Sequence, residues 1–292
     1  MKHCYETVRF NHKSWPVVEK VIEIVAEYRG QGYSLTLRQL YYQFVARGHI
    51  ANTMRDYKRL GGLVSKARRG GYLDWEAIED RTRNLQGNSH WGSPGEIVQA
   101  CVRSYAVDKW EDQPHRVEVW VEKEALVGVV ARVAGELDVD YFACRGYVSD
   151  SEMEAAARRH IAYERCGQSV TVLHLGDHDP SGIDMSRDIQ ERLDLYLAHT
   201  NVLRIALNMD QVEEYTPPPN PAKLTDTRCQ DYMARFGDES WELDALEPAV
   251  LSQLIKDHVT SLRDDVLYEA ALVRQESGRD KLRDVAETID DE

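Results

Sequence analysis

The sequence predicts an α/β protein whose sheet-forming part follows a helical N-terminal domain. Two patterns support this fold class. From position 116 onwards, apolar runs of strand length alternate with segments of helical periodicity, which is typical of a largely parallel sheet with helices on its faces. Ahead of that point, three helical segments follow one another and are separated by glycines.

The first two helices belong to a predicted winged helix-turn-helix domain that covers residues 1–83. The first begins at Ser14, carries a proline in its first turn and ends at Gly30. Thr36 can cap the second helix, with Gln39 placed three residues later as in a capping box, and the helix is expected to end at Gly48.

The third predicted helix runs from Asn52 to about Arg69, with a weak point or kink at Gly61-Gly62, and a small wing is expected at 72–75. A basic helix in this position is typical of one that contacts the DNA backbone. A solvated charged face is an equally good interpretation of the same residues. The candidate DNA-binding residues are Arg55, Lys58, Arg59, Lys66, Arg68 and Arg69.

A connector at 84–114, helical up to about Trp110, leads into the α/β unit at 115–215. Acidic, mainly helical sequence then occupies 216–292, with a packing stripe expected at Leu251, Leu254, Ile255, His258 and Leu262. Within the α/β unit the predicted elements are strand 117–121, helix 125–137, strand 139–143, helix 152–164, strand 170–175, helix 183–199 and strand 202–206.

The charge of the chain bears on its partners. The formal net charge is −14 over 292 residues, which by itself argues against nucleic acid. However, residues 1–110 contain 17 Lys and Arg against 11 Asp and Glu, so the acidic excess lies in the rest of the chain. This distribution suits a protein that holds a polyanion with one part and a divalent cation with the other. Acids that only promote solubility are the alternative interpretation.

Composition also indicates the compartment. No apolar run approaches the ~20 residues of a membrane helix, and the first residues lack the apolar core of a signal peptide. The five cysteines are scattered and include no Cys-x-x-Cys pair, which argues against a disulfide framework or a cysteine zinc site. We therefore expect a cytoplasmic protein with no membrane partner.

Acidic side chains follow two of the predicted strands. The strand at 170–175 runs into Gly176-Asp177-His178-Asp179-Pro180-Ser181-Gly182, where the two aspartates point to the same side of an extended chain. Glu122 ends the strand at 117–121 in the same way. If these strands are neighbours, Glu122, Asp177 and Asp179 converge at the edge where open α/β sheets bind ligands. Such hard oxygen ligands suit Mg²⁺. A surface turn rich in aspartate is the alternative.

A tyrosine in the second helix is a candidate nucleophile. Leu37, Leu40, Tyr41, Phe44 and Val45 have the spacing of one buried face. Tyr42 is predicted to lie off that face, outside the core, beside Arg38 four residues earlier. A tyrosine next to an arginine is suitably placed to receive a phosphate, and Arg38 can stabilise charge on it. An ordinary exposed tyrosine is the alternative.

Together these motifs resemble a known family. Glu122 and Asp177-x-Asp179-Pro180-x-Gly182 resemble the Glu and Asp-x-Asp motifs of the Toprim fold. Within that fold they are most similar to the A subunit of topoisomerase VI and its meiotic double-strand-break relatives. The family's tyrosine motif matches Thr36-Leu37-Arg38-Gln39-Leu40-Tyr41-Tyr42. The chain looks like a compact, stand-alone form of bacterial or phage type.

The resemblance implies a specific chemistry. It implies a Toprim domain at 115–215 whose three acids bind Mg²⁺, or Mn²⁺ in its place, and help to orient the scissile DNA phosphate. Tyr42 would attack the phosphodiester and become joined to the 5′ phosphate, and Lys123 would contact phosphate. The family works as a homodimer in which the acids belong to the partner protomer, and a separate ATP-hydrolysing B-type subunit drives strand passage. A cytoplasmic, nucleoid-associated location follows from such a role.

The sequence departs from the family at two points, and other functions stay open. The segment Arg145–Asp150 keeps a glycine but lacks the family's proline and Thr-Arg pair, and Ser181 replaces the usual aromatic residue. The chain also has no Gly-x-x-x-x-Gly-Lys-Ser/Thr loop for ATP. One alternative is a Toprim nuclease that uses metal-activated water. The other is a non-catalytic DNA-binding protein that needs a B-like partner.

Overall fold

A computed structural model describes residues 2–79, 90–222 and 226–290. Its N-terminal part contains three helices, α1 (Trp15–Gly30), α2 (Leu37–Ala46) and α3 (Met54–Arg69). Two short strands, β1 (Leu35–Thr36) and β2 (Ile78–Glu79), pair in parallel beside them.

Three details of this part bear on the sequence prediction. The helix α3 continues through Gly61 and Gly62 without a break. The helix α2 ends at Ala46, and Gly48, whose φ is +69°, follows its cap Arg47, so Gly48 ends the helix as predicted. Among residues 71–79 there is no hairpin wing: a 3₁₀ turn and β2 occupy the place, and Leu73 packs into the core.

The capping box at the start of α2 forms as predicted. The Thr36 side chain accepts a hydrogen bond from the Gln39 amide at 3.2 Å, and the Gln39 side chain accepts one from the Thr36 amide at 2.8 Å. Two amides that the helix itself cannot bond are therefore paired. The cap fixes the first turn of the helix that carries Arg38 and Tyr42.

We expect Thr36→Ala to lower the free energy of unfolding by about 1 kcal/mol, the usual contribution of such a cap. Urea unfolding followed by circular dichroism measures this change. Thr36→Ser is the matched control and should unfold close to wild type, because its hydroxyl accepts the same bond. Equal unfolding midpoints for the alanine and serine variants would contradict the assigned cap.

The α/β prediction is confirmed at the level of fold class. After α4 (Pro94–Ser104), a sheet of four parallel strands has the order β4-β3-β5-β6. The elements are β3 (His115–Val121), α5 (Val127–Leu137), β4 (Asp140–Ala143), α6 (Asp150–Arg165), β5 (Ser169–Leu175), α7 (Pro180–Leu195) and β6 (Asn201–Ala206).

The connector helix is shorter than predicted, since α4 ends at Ser104 rather than near Trp110. Trp110 is instead buried in the sheet's core, and its indole N–H donates to the Leu137 carbonyl at 2.9 Å. The large side chain gains more from this burial than it would as the end of a surface helix.

The C-terminal part is largely helical, as expected. Its elements are α8 (Met209–Tyr215), β7 (Asn220–Pro221), α9 (Cys229–Phe236), β8 (Glu239–Ser240), α10 (Pro248–Leu262) and α11 (Asp265–Asp290). The helix α10 packs on the sheet through Leu251, Ile255 and Val259, so the predicted stripe is rotated: Leu254, His258 and Leu262 are only partly buried. Among the described residues, none of the helices combines the length and apolarity needed to cross a lipid bilayer.

A short link joins the C-terminal part to the N-terminal helices. Ala245, between β8 and α10, belongs to the apolar core formed by α1, α2 and α3. The segment around it also carries Leu243 and Leu246 into the core of the sheet. Residues 241–247 therefore lie between the two cores and face both α2 and the sheet edge.

Candidate active site

The sheet brings two of the three predicted acids together. The strands β3 and β5 are neighbours in register, with Val121 opposite Leu175, so Glu122 and the turn at Gly176-Asp177 leave the sheet side by side. The Glu122 carboxylate accepts a hydrogen bond from the Asp177 amide at 2.8 Å. The carboxyl ends of these strands thus form the acidic edge that the spacing predicted.

Asp179 is held at the start of α7. Its carboxylate accepts hydrogen bonds from the Gly182 amide at 2.6 Å and from the Ser181 hydroxyl at 2.8 Å, so it acts as the helix cap. Gly182 is needed for a close approach: a Cβ at this position would lie 2.2 Å from the Asp177 carbonyl oxygen. The glycine of the motif therefore allows α7 to begin directly against the Asp177 backbone.

A buried arginine fixes the turn between these acids. One terminal nitrogen of Arg204, on β6, donates to the carbonyls of Gly176 at 2.9 Å and Asp177 at 2.6 Å. The other donates to the Gly182 carbonyl at 2.8 Å. Burial lowers the pKa of Arg204 to about 10. Arg204 was not predicted from the sequence, because nothing in the spacing of β6 distinguishes it from a surface arginine.

The three predicted acids are almost completely removed from water. Burial raises the pKa of Asp177 to about 8, and the carboxylates of Glu122, Glu242 and Asp244 act in the same direction against the opposing charge of Lys123. Burial also raises the pKa of Glu122, with Asp179 adding to the effect. Buried carboxylates in such a group favour a cation close to them.

Lys123 supplies one such cation. Its ammonium nitrogen lies 2.7 Å from Asp177 Oδ1 and 3.2 Å from Asp244 Oδ1, and it also contacts Glu242. Burial disfavours its charge, yet the carboxylates of Asp244, Asp177 and Glu242 raise its pKa above the ordinary value. Lys123 is therefore tied into the acidic edge, whereas the sequence suggested only contact with phosphate.

The acids match Mg²⁺ in chemical type but are not arranged around one point. Within residues 2–79, 90–222 and 226–290, no group of three or more His, Cys, Asp or Glu side chains has the geometry of a metal site. One oxygen of each acid accepts a backbone amide, and Lys123 lies against Asp177.

Tyr42 is buried, so the prediction that it lies outside the core is wrong. It is 5 % exposed and packs edge-on against Tyr41, with ring centroids 5.3 Å apart. Helical periodicity missed this burial because the covering residues come from another part of the chain, which lies against the face of α2 that the pattern assigned to solvent. The pairing with Arg38 does occur: the guanidinium carbon lies 5.7 Å from the Tyr42 ring centre.

The surroundings of Tyr42 disfavour its ionised form in the absence of substrate. Burial raises its pKa to about 12, and the carboxylates of Asp244 and Glu242 add to this effect. Arg38 and Lys123 oppose it. A phenolate would thus need either the loss of nearby negative charge or a further cation.

Tyr42 and the aspartates nevertheless share one cavity of about 380 Å³. Arg38 and Tyr42 from α2 line it together with Asp177, Asp179 and Glu242. All of these side chains belong to a single chain. The resemblance, in contrast, implies acids supplied by a partner protomer.

Two further acids at the site, Glu242 and Asp244, were not predicted from the sequence. Asp244 Oδ2 lies 2.8 Å from Arg38 Nε, and Glu242 Oε2 lies 2.9 Å from a terminal nitrogen of Arg38. Their Glu-x-Asp spacing lies in a region of high acidic content, where no neighbouring strand pattern distinguishes it. Their positions depend on the fold that brings residues 241–247 against α2.

The basic residues of α3 do not form one uniform surface. Arg55, Lys58, Arg59, Lys66 and Arg69 are exposed, with Arg69 paired to Glu6 at 3.3 Å. Arg68 is different: it lies over the Trp75 ring at 4.7 Å and donates to the Trp75 carbonyl. Arg68 therefore links the end of α3 to the 3₁₀ turn that begins at Trp75, which is a structural role. Arg145, in the loop that departs from the family pattern, pairs with Glu124.

Comparison with known proteins gives no relative. No family model, curated protein or solved structure matches the chain.

Proposed function

We propose that the chain is a DNA-cleaving transesterase in which Tyr42 attacks a phosphodiester. The observation that supports this most strongly is the shared cavity: a tyrosine, an arginine and two aspartates from distant parts of the chain line the same space. In this proposal the N-terminal helices form a DNA-binding helix-turn-helix unit and the sheet is a Toprim domain. The exposed basic residues of α3 add a surface for the DNA backbone.

The proposed reaction is a phosphoryl transfer that needs no external energy source. The Tyr42 oxygen forms a bond to phosphorus, and the bond between phosphorus and the 3′ oxygen breaks. The 3′ oxygen leaves as a hydroxyl and takes up a proton, while the phenolic proton is lost. The product is a 5′-phosphotyrosyl link. Arg38, beside the ring, stabilises the charge on the phosphate oxygens.

Glu122, Asp177 and Asp179 are the residues that would hold Mg²⁺ or Mn²⁺. The bound ion would neutralise phosphate oxygens next to the tyrosine. Support comes from the burial of all three acids and from the raised pKa of Asp177. Both show that the ionised carboxylates would be stabilised by more positive charge close to them.

One observation favours a hydrolytic rival. Tyr42 is buried and its pKa is raised to about 12, which makes it a poor nucleophile before substrate binds. A nuclease that activates water at the acids would not depend on the tyrosine. This rival predicts cut DNA without any covalent protein–DNA product.

A trapping assay separates the two. Linear DNA labelled at its 3′ ends is incubated with the protein in Mg²⁺ or Mn²⁺ and denatured with detergent, and labelled protein is then separated by electrophoresis. The proposal predicts labelled protein that digestion with a nuclease and then a protease converts to a phosphotyrosine-bearing peptide. Cut DNA with no labelled protein would support hydrolysis and overturn the tyrosine proposal.

A further inference from the structure

One oxygen of Glu242 contacts two cations at the cavity. Its Oε2 lies 2.9 Å from a terminal nitrogen of Arg38 and is also paired with the Lys123 ammonium group. Arg38 is next to Tyr42, and Glu242 lines the same cavity as both. A single anionic oxygen that bridges an arginine and a lysine is an arrangement that a phosphate oxygen can also adopt.

Asp244 contacts the same two cations but differs in its environment. Its side chain is 0 % exposed, whereas that of Glu242 is 23 % exposed. The two Asp244 oxygens bind Arg38 Nε at 2.8 Å and Lys123 Nζ at 3.2 Å. Asp244 therefore anchors the cations from the interior. Glu242 covers them on the side that is open to the cavity.

The backbone on both sides of Glu242 is fixed. Trp241 exchanges two backbone hydrogen bonds with His178, at 2.8 and 2.9 Å. The Leu243 amide donates to Asp177 Oδ1 at 2.7 Å. With both neighbours anchored, the Glu242 carboxylate can leave the cations by rotation of its side chain alone, while the acidic edge stays in place.

We propose that Glu242 stands in for the scissile phosphate: its carboxylate occupies the place between Arg38 and Lys123 that a DNA phosphodiester takes. This inference rests on the proposed function and adds a closed resting state to it. The incoming phosphate replaces the carboxylate on the same two cations. The affinity for DNA is therefore lower than it would be without the carboxylate.

The test compares two variants that lose the same charge from the same segment. Glu242→Gln removes the proposed stand-in. Glu239→Gln, three residues earlier, removes an exposed acid that pairs with neither cation in the part of the chain that is described.

The probe is a short fluorescein-labelled thymidine oligonucleotide in EDTA, with fluorescence anisotropy as the readout. We expect Glu242→Gln to bind about tenfold more tightly than wild type, the scale of one charge-assisted hydrogen bond. Glu239→Gln should stay within about twofold.

The outcomes distinguish this inference from the proposed function. Suppose that Glu242→Gln binds no better than Glu239→Gln while Arg38→Gln binds more weakly than wild type. The phosphate site at Arg38 is then supported, and the proposal that Glu242 occupies it in the absence of DNA is wrong. Weaker binding by Glu242→Gln would also overturn the inference, because the carboxylate would then only hold the cations in place. If wild type and Arg38→Gln bind equally, there is no phosphate contact at Arg38 and the proposed function itself fails.

Discussion

Tyr42→Phe is expected to abolish the covalent protein–DNA product completely and to reduce strand cleavage to background. The change removes only the oxygen that forms the bond to phosphorus, and the ring stays packed against Tyr41. The measurement is the trapping assay with labelled DNA, carried out at equal concentrations of folded protein.

The neighbouring residue provides the matched control. Tyr41 is equally buried, but its hydroxyl donates to Asn52 Oδ1 at 2.9 Å and to the Thr53 carbonyl at 3.2 Å. Tyr41→Phe should lose about 1 kcal/mol of stability and still form the covalent product. A labelled Tyr42→Phe protein together with an unlabelled Tyr41→Phe protein would reassign the nucleophile.

The same assay has an expected pH dependence. The pKa of Tyr42 is raised to about 12 by burial and by nearby carboxylates, so the phenolate is a small fraction at neutral pH. Below the pKa this fraction rises about tenfold for each pH unit. The single-turnover rate of product formation should therefore climb between pH 7 and 9 without reaching a plateau.

Gly182→Ala should have the largest effect on the structure of the site. Its Cβ would lie 2.2 Å from the Asp177 carbonyl oxygen, a distance that backbone atoms cannot accommodate without moving. The start of α7 would have to shift away from β5, and with it the Gly182 amide that binds Asp179. We expect a loss of about 3 kcal/mol, together with loss of cleavage.

Gly135→Ala is the control for this substitution. Gly135 is exposed within α5, and a Cβ there would meet nothing within 4 Å. Alanine should raise the free energy of unfolding by about 0.5–1 kcal/mol, because it restricts the unfolded chain. Thermal unfolding of both variants measures the contrast. If Gly182→Ala unfolds like Gly135→Ala, the close approach of α7 does not determine the site.

Local sequence signals were reliable for features that local geometry determines. The Thr36–Gln39 capping box and the strands that end at Glu122 and Asp177 were all predictable, because side chains three or two positions apart meet within one element. Neighbouring parallel strands then place the two strand ends side by side. The sequence therefore predicted the acidic edge on the condition that the two strands are neighbours, and the fold supplies that pairing.

Features that depend on distant parts of the chain were not predictable in this way. Periodicity placed Tyr42 on a solvent-facing side of α2, but residues 241–247 cover that side in the folded chain. Glu242 and Asp244 went unnoticed for the same reason, since their partners Arg38 and Lys123 lie far away in sequence. The helix pattern of one segment contains no information about which other segment packs on it.

Mixing two inactive variants tests most directly whether Tyr42 and the acids form one site in a single chain. Tyr42→Phe and Asp177→Ala are refolded together so that mixed assemblies form, and covalent DNA product is measured against wild type. Because both residues line one cavity of one chain, every site in the mixture keeps a defect, and no product should appear. Recovery of a substantial fraction of wild-type product would show that each site is built from two chains and would contradict this account.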